Sequence, residues 1–379
     1  MPKNFCALPF HHTAIHTDGA YNICCQHEVP PKLTLNIKTS TPIKWFQSDY
    51  VKNVQASFLS DQRHPGCSSC WGHDDHNLTS MRQRVMKEYT ILGIDTKNPS
   101  IKYVEINLGN LCNLKCLMCN ENESSAILSE NIRLGINVQS QKNLKWDDQA
   151  FDHLTQIIDQ QPKVVNIRGG EPFYNKELLS LVRNIPDHQA RQMMLHITTN
   201  ATIWDDSWKD ALSRFRLVRM MFSVDAVGEL YEYIRFPSTW ATVQANIQEI
   251  NKCKNVTSMI HCVVQNLNIG QLESLIEWSM QMGIHLELDL LWKPLYLHIT
   301  NLPNALKIEV LQSLKTTLDK QYPDHILDFL KKCHTVLTNS MLHSMLQTDS
   351  TMWDNFKQQI VPRDQLRGNS YTRFLKESP

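Results

Sequence analysis

Three cysteines, Cys112, Cys116 and Cys119, stand at a C-x3-C-x2-C spacing, just after an apolar run over 101–108 that reads as a strand. Gly109, Asn110 and Leu111 turn the chain between the two. A thiolate loop on a strand end constrains the fold strongly, because the strand must deliver it to a site that other elements complete. Iron–sulfur clusters are normally held by four Cys ligands. Three thiolates on one loop hold three irons of a cubane and leave the fourth iron open to a substrate or cofactor. A zinc knuckle short of one ligand, or three buried thiols, are the competing readings, since Cys is often simply buried.

A second predicted strand, Lys163 to Arg168, runs into Gly169-Gly170-Glu171-Pro172. Successive glycines let the backbone approach a ligand closely. Glu171 can accept from an ammonium, and Pro172 fixes the turn. With both motifs in this order, each at a strand end, the chain resembles the radical S-adenosylmethionine (SAM) enzymes over roughly Tyr103 to Trp292. The resemblance implies a [4Fe–4S] cluster on Cys112, Cys116 and Cys119, with the amino and carboxylate groups of SAM on its open iron. The residue before the last Cys is often aromatic in that family. Here it is Met118, a polarizable surface that can pack on adenine.

Strand candidates continue at 193–199, 218–225, 257–265 and 285–292, with helical candidates at 122–134, 147–160, 175–184, 205–213, 240–252 and 270–282. Such alternation implies an α/β class with a parallel sheet and right-handed crossovers. Six units resemble the partial (β/α)6 barrel of the radical SAM fold, with its site at the C-terminal strand ends. There, Thr198, Thr199 and Asn200 suit the ribose or methionine part of SAM, or Asn200 is a turn residue. Ser223-Val224-Asp225 resembles the family's Ser-x-Asp signature and implies bonds to the SAM amino group or ribose. Arg235 can pair bidentately with the carboxylate or sit solvated on the surface. Gln265, with Asn266 and Asn268, resembles the segment near the adenine. Cys253, Cys262 and Cys333 show no ligand spacing and read as buried thiols.

The N-terminal stretch carries five more cysteines, Cys6, Cys24, Cys25, Cys67 and Cys70. Asp18-Gly19 centres a hairpin over Ala14 to Ile23, and a helix over Asn53 to Leu59 feeds Cys67-x2-Cys70. A C-x2-C pair is a strong metal signal. Cys6 with Pro9-Phe10, Asp18-Gly19 leading to Cys24-Cys25, and Cys67-x2-Cys70-Trp71 followed by Ser80 to Arg82 resemble the SPASM/twitch auxiliary-cluster domains of peptide-modifying radical SAM enzymes. In those enzymes the module usually follows the SAM domain; here it precedes it. The resemblance implies a second, auxiliary [4Fe–4S] cluster on Cys6, Cys24, Cys67 and Cys70, with Cys25 the alternate for Cys24. Zinc fits the same ligands and would fold the module without passing electrons. His11, His12, His27 and His73 are alternative ligands or ordinary core and surface residues.

A chain of 379 residues suggests two or three domains. The expected division is 1–95 for the Cys-rich module, 96–300 for the SAM core and 301–379 for a helical extension, with Tyr89 to Ser100 as linker. The extension contains helices over about 304–321 and 324–343, the first with an apolar face of Leu306, Ile308, Leu311 and Leu314. They are expected to pack on the open side of the barrel or on the N-terminal module. Met341, Met345 and Met352 form no cofactor box, and Val361 to Pro379 reads as loop and short helix. Lys plus Arg and Asp plus Glu are 38 each, which argues against a nucleic-acid binder. No apolar run is long enough to span a membrane, and Met1 to Cys6 lacks a signal h-region. Eleven cysteines in such a chain point to metal or redox chemistry. A cytoplasmic protein is expected, supplied with SAM and a flavodoxin- or ferredoxin-type electron donor.

The resemblance implies reductive cleavage of SAM to a 5′-deoxyadenosyl radical, which abstracts a hydrogen atom from substrate. The leading expectation is a peptide or protein substrate in the maturation of a ribosomally made precursor. The alternative is a small molecule such as a nucleotide, a sugar or a cofactor precursor. A third reading is a non-catalytic iron–sulfur or zinc protein.

Overall fold

The computed structural model describes residues 2–91, 98–138, 144–346 and 351–375. Eight strands form one sheet: β1 His12–Ile15, β2 Tyr21–Asn22, β3 Tyr103–Asn107, β4 Val164–Arg168, β5 Met194–Thr199, β6 Leu217–Ser223, β7 Val256–Val264 and β8 His285–Leu290. Their order is β2-β1-β3-β4-β5-β6-β7-β8. From β3 to β8 every neighbouring pair is parallel. This is the partial (β/α)6 barrel that the alternation implies.

The helices used below are α1 Asp49–Leu59, α2 Ser68–Asp75 and α3 Met81–Ile91 before β3, then α4 Ser125–Arg133 and α5 Asp148–Ile158 before β4. Next come α6 Lys176–Asn184, α7 Asp206–Ser213, α8 Gly228–Ile234, α9 Trp240–Ile250 and α10 Leu272–Gln281. After β8 follow α11 Asn304–Leu318, α12 Asp324–Leu346 and α13 Thr351–Arg367. The crossover helices start where polar side chains satisfy free backbone N–H groups. Ser124 caps α4, Asp147 α5, Asn175 α6 and Asp205 α7. Strand alternation sets the two faces of the sheet. On β3, Val104 and Ile106 are fully buried. Asn107, Arg168, Thr198 and Ser223, at the ends of β3 to β6, face the hollow of the barrel and line its cavity.

Three expectations change. The N-terminal segment shares the barrel's sheet, because β1 pairs in parallel with β3 from His12↔Tyr103 to Ile15↔Ile106. Its hairpin tip, with Gly19 at φ +87, therefore lies at the same end as the loops that follow β3 and β4. Helix α3 lies against the hollow: the Tyr89 ring is 6.3 Å from Tyr103, and Glu88 sits near Arg219. Residues 361–367, expected as loop or short helix, are the last turns of α13. The other edge of the sheet is covered by α12. His325 pairs through Nε2 with the Leu286 carbonyl at 3.1 Å, which occupies part of an otherwise open strand edge. Residues 92–97 of the expected linker, and the Met345 side chain, lie outside the description. No helix among the described residues is long and apolar enough to cross a membrane.

Candidate active site

Cys112, Cys116 and Cys119 converge on one cavity of about 490 Å³ at the C-terminal ends of the strands. Burial pushes the Cys112 thiol up to about 12, helped by Cys116 beside it. Cys116 moves the other way, first because the Cys119 thiol donates to it and then because of the Arg235 guanidinium. Desolvated thiols facing one another favour a shared cation, which deprotonates and neutralises them. The loop is held on both sides. Lys115 N donates to Phe236 O at 2.7 Å and Leu117 N to Ile234 O at 3.0 Å. From α13, Arg367 donates to Lys115 O at 2.9 Å and, through two nitrogens, to the buried Glu130 carboxylate of α4 at 2.9 and 2.6 Å.

The loop after β4 takes a different role from the expected one. Gly169 and Gly170 have φ +90 and +52, and a Cβ on Gly169 would stand 2.6 Å from Leu108 N. A Cβ on Gly170 would collide with the Leu111 carbonyl. The glycines line the cavity, and what their bareness admits is the backbone of the cysteine loop. Glu171 N donates to Leu111 O at 2.8 Å. Glu171, expected to accept an ammonium, is buried and already receives three bonds: Phe173 N at 3.0 Å, the Thr199 hydroxyl at 2.7 Å and Asn200 N at 2.7 Å. Burial raises its carboxyl and these bonds oppose the rise. Thr199 is thereby engaged with Glu171, while the Asn200 amide donates to Asn113 Oδ1 at 3.0 Å. Pro172 opens a buried turn outside the cavity lining.

Ser223 reaches the cavity, but Asp225 does not. The Asp225 side chain is fully buried, accepting from Val263 N at 2.9 Å and forming an ion pair with Arg235, whose Nε lies 2.7 Å from Oδ2. Arg235, expected on the SAM carboxylate or on the surface, is buried, with Nη1 at 3.7 Å from Cys116 Sγ. Its positive charge serves the Asp225 carboxylate and the thiol. Gln265 is buried outside the cavity lining; its backbone N donates to Asn268 Oδ1 at 2.7 Å. Of the remaining expected contacts, Met118, Thr199 and Asn200 line the cavity.

The structure adds residues that the sequence reading did not single out. His16 and Thr17 of the N-terminal hairpin reach the cavity, as do Arg168 and His261. Arg168 Nε donates to Asn107 Oδ1 at 2.7 Å, and its guanidinium pairs with Glu105. Glu105 in turn faces His12 at 3.8 Å. His261 Nε2 lies 2.8 Å from Asp289 Oδ2, a bond that raises the imidazole above its ordinary range. Arg168 could have been noticed as a charge at the end of a buried strand. His16 gave no signal before the β1–β3 pairing was known.

Cys6, Cys24, Cys67 and Cys70 line a second, smaller cavity with His27, Phe58 and Trp71. Cys25 is absent from that lining. Every pairing among the four thiols is close enough for a charge on one to disfavour a charge on another. Burial first, then the neighbouring thiols, pushes Cys6 and Cys67 up to about 12. Of the four histidines weighed as ligands, His27 reaches this site. His73 bonds the Ser69 carbonyl of its own helix, and His12 bonds the Ile23 carbonyl.

The parallel barrel thus gathers a three-cysteine loop and a Gly-Gly-Glu-Pro loop over one cavity. Residues 106–279, a little under half of the chain, match the Radical SAM superfamily. The chain is 26% identical over 187 residues to a "GTP 3',8-cyclase" of Campylobacter jejuni subsp. doylei, covering 49% of this chain and 54% of that protein. It is 25% identical over 197 residues to a "Probable GTP 3',8-cyclase" of Sulfurisphaera tokodaii, covering 50% and 56%. The chain thus spans about half the length of these curated relatives. Among solved structures it resembles anSMEcpe with bound AdoMet, with TM-score 0.41, 19% identity and coverage of 56% and 58%. It also resembles Streptococcus suis SuiB bound to its precursor peptide SuiA, with TM-score 0.38, 14% identity and coverage of 76% and 64%.

Proposed function

We propose that this protein is a radical SAM enzyme that acts on a small polar molecule of the nucleotide or cofactor-precursor kind. The observation that carries this reading is the sequence similarity of its core to proteins named GTP 3',8-cyclase. The cavity supports it. Its walls include Arg168, Asn107 and His261, polar groups that suit a small polar ligand, and α3 covers the hollow beside it. Cys112, Cys116 and Cys119 would hold the [4Fe–4S] cluster, and Met118, Thr198 and Ser223 would meet the SAM. When bound, the cluster supplies one electron to SAM, whose cleavage yields the radical that takes a hydrogen atom from substrate. The chain's own residues set the stage. Glu171 locks the loop after β4 to β5, Arg235 offers an N–H to Cys116, and the hairpin and α3 limit water. A peptide substrate is the second reading, favoured by the four-thiol N-terminal cavity and its likeness to auxiliary-cluster modules.

We assign a second [4Fe–4S] cluster to Cys6, Cys24, Cys67 and Cys70. The support is that the four thiols line one buried cavity and each pairing disfavours a second charge, so a shared cationic centre would neutralise them. His27, His64 and Cys67 also bring ligand atoms within 4.8 Å of one another.

The substrate assignment is tested with the anaerobically reconstituted, reduced protein and SAM. Small-molecule and peptide fractions of a cell extract, and GTP itself, are added separately, and 5′-deoxyadenosine is measured. Stimulation by the small-molecule fraction is expected. Stimulation by the peptide fraction alone would replace this reading with the second.

A further inference from the structure

We propose that His27, oriented by Tyr50, donates an N–H···S hydrogen bond to Cys67 and thereby raises the reduction potential of the N-terminal cluster. The inference rests on the cluster assignment above.

His27 Nδ1 lies 3.3 Å from Cys67 Sγ, and its Nε2 lies 2.8 Å from the Tyr50 hydroxyl. A metal-bound thiolate can only accept. Nδ1, which faces that thiolate, then carries a proton, while Nε2 faces the Tyr50 hydroxyl, itself 3.3 Å from the Glu28 carbonyl. Tyr50, His27 and Cys67 form one connected chain of polar contacts. The tautomer is set by the bond the other nitrogen makes, as for metal-bound imidazoles.

The surrounding chain is built to admit this ring. Gly66, next to the ligand Cys67, has no side chain where His27 lies. A Cβ there would stand 2.7 Å from His27 Cε1 and 2.8 Å from Nε2. The His64 ring stacks on His27 with centroids 5.3 Å apart, and Glu28 N donates to Gly66 O at 2.8 Å, closing the loop around it.

Hydrogen bonds to cluster sulfurs are among the groups that set reduction potential. The reduced cluster carries one more negative charge, so a donor to sulfur favours reduction.

The test uses the full chain with Cys112, Cys116 and Cys119 all changed to Ala, reconstituted anaerobically so that one cluster remains. Redox titration followed by electron paramagnetic resonance gives the midpoint. His27→Phe should lower the reduced-to-oxidised ratio at the parent midpoint about tenfold, a 59 mV shift for one electron. Tyr50→Phe, which keeps the imidazole but frees its tautomer, should shift it in the same direction by less. Gly66→Ala should reproduce the His27→Phe shift by displacing the ring, and serves if that variant does not fold. An exchangeable proton coupling to the reduced cluster should be present in the parent and lost in His27→Phe. Unchanged midpoints with full iron and visible absorption would overturn the inference and leave the cluster standing. Stoichiometric metal without that absorption, lost on changing His27 or His64, would mean a single ion on His27, His64 and Cys67, and would overturn both.

Discussion

The Thr199 hydroxyl donates to Glu171 Oε1 at 2.7 Å, joining the loop after β4 to the end of β5. Glu171 also takes the backbone N–H groups of Phe173 and Asn200, so a carboxylate that lines the cavity accepts three bonds from its own chain. Glu171→Gln removes one acceptor and turns an amide donor toward a buried N–H. A loss on the order of 1–3 kcal/mol is expected for such an unsatisfied buried group. Iron content and SAM affinity should fall together. Denaturant midpoints with calorimetric SAM binding check this. An unchanged stability with weaker SAM binding would make Glu171 a ligand contact.

The cysteine spacing and the six strands were legible in the sequence. Three ligands on one loop and short β-branched runs between turn residues are local signals. Partner choice was not. Glu171, Asp225 and Arg235 were read as groups waiting for SAM, yet Asp225 and Arg235 bind each other at 2.7 Å. Sequence shows that a group can accept or donate, and only the fold shows what reaches it first. Helix α3 escaped because it buries little beyond Val85 and Tyr89, too narrow a stripe to mark an amphipathic period. Helix α13 escaped because Pro362 lies inside it, normally a break costing about 3 kcal/mol. Tertiary bonds from Arg363 to Asn131 and from Arg367 to Glu130 outweigh that cost. Cys24 lines the small N-terminal cavity and Cys25 does not.

Arg235→Met should leave Asp225 as a buried, uncompensated carboxylate. Breaking a buried pair from one side costs on the order of 3–5 kcal/mol. Adding Asp225→Asn should recover much of that loss. Unfolding curves of the single and double variants measure the coupling.

Arg367→Ala should release the cysteine loop from α13 and leave the buried Glu130 with only the longer contacts to Lys115 and Arg363, at 3.8 and 3.7 Å. Iron and sulfide should be lost from the Cys112 site while the Cys6 site stays loaded. Selective analysis is made by comparing the variant with and without the Cys112, Cys116 and Cys119 to Ala changes. Equal iron content with and without Arg367→Ala would show that α13 does not hold the loop.

Acid should destabilise the fold through buried neutral imidazoles. Burial lowers His12 and His196 to about 4, against about 6.5 in the unfolded chain. Between those values the unfolded state binds more protons, so stability rises with pH. The contribution is complete above pH 6.5 and lost as pH falls toward 4. For His12 it is on the order of 3 kcal/mol, at 1.36 kcal/mol per pKa unit. Urea midpoints at pH 7, 5.5 and 4.5 should fall in that order, and less steeply in His12→Gln. A flat profile would mean that the folded state accepts the proton.

The most direct test is anaerobic reconstitution of the full chain, one-electron reduction and incubation with SAM, followed by mass spectrometry for 5′-deoxyadenosine and methionine. The wild-type protein should form both, and the variant with Cys112, Cys116 and Cys119 changed to Ala should form neither. Continued 5′-deoxyadenosine formation by that variant, or none from wild type carrying its full iron and sulfide, would contradict a radical SAM centre on this loop.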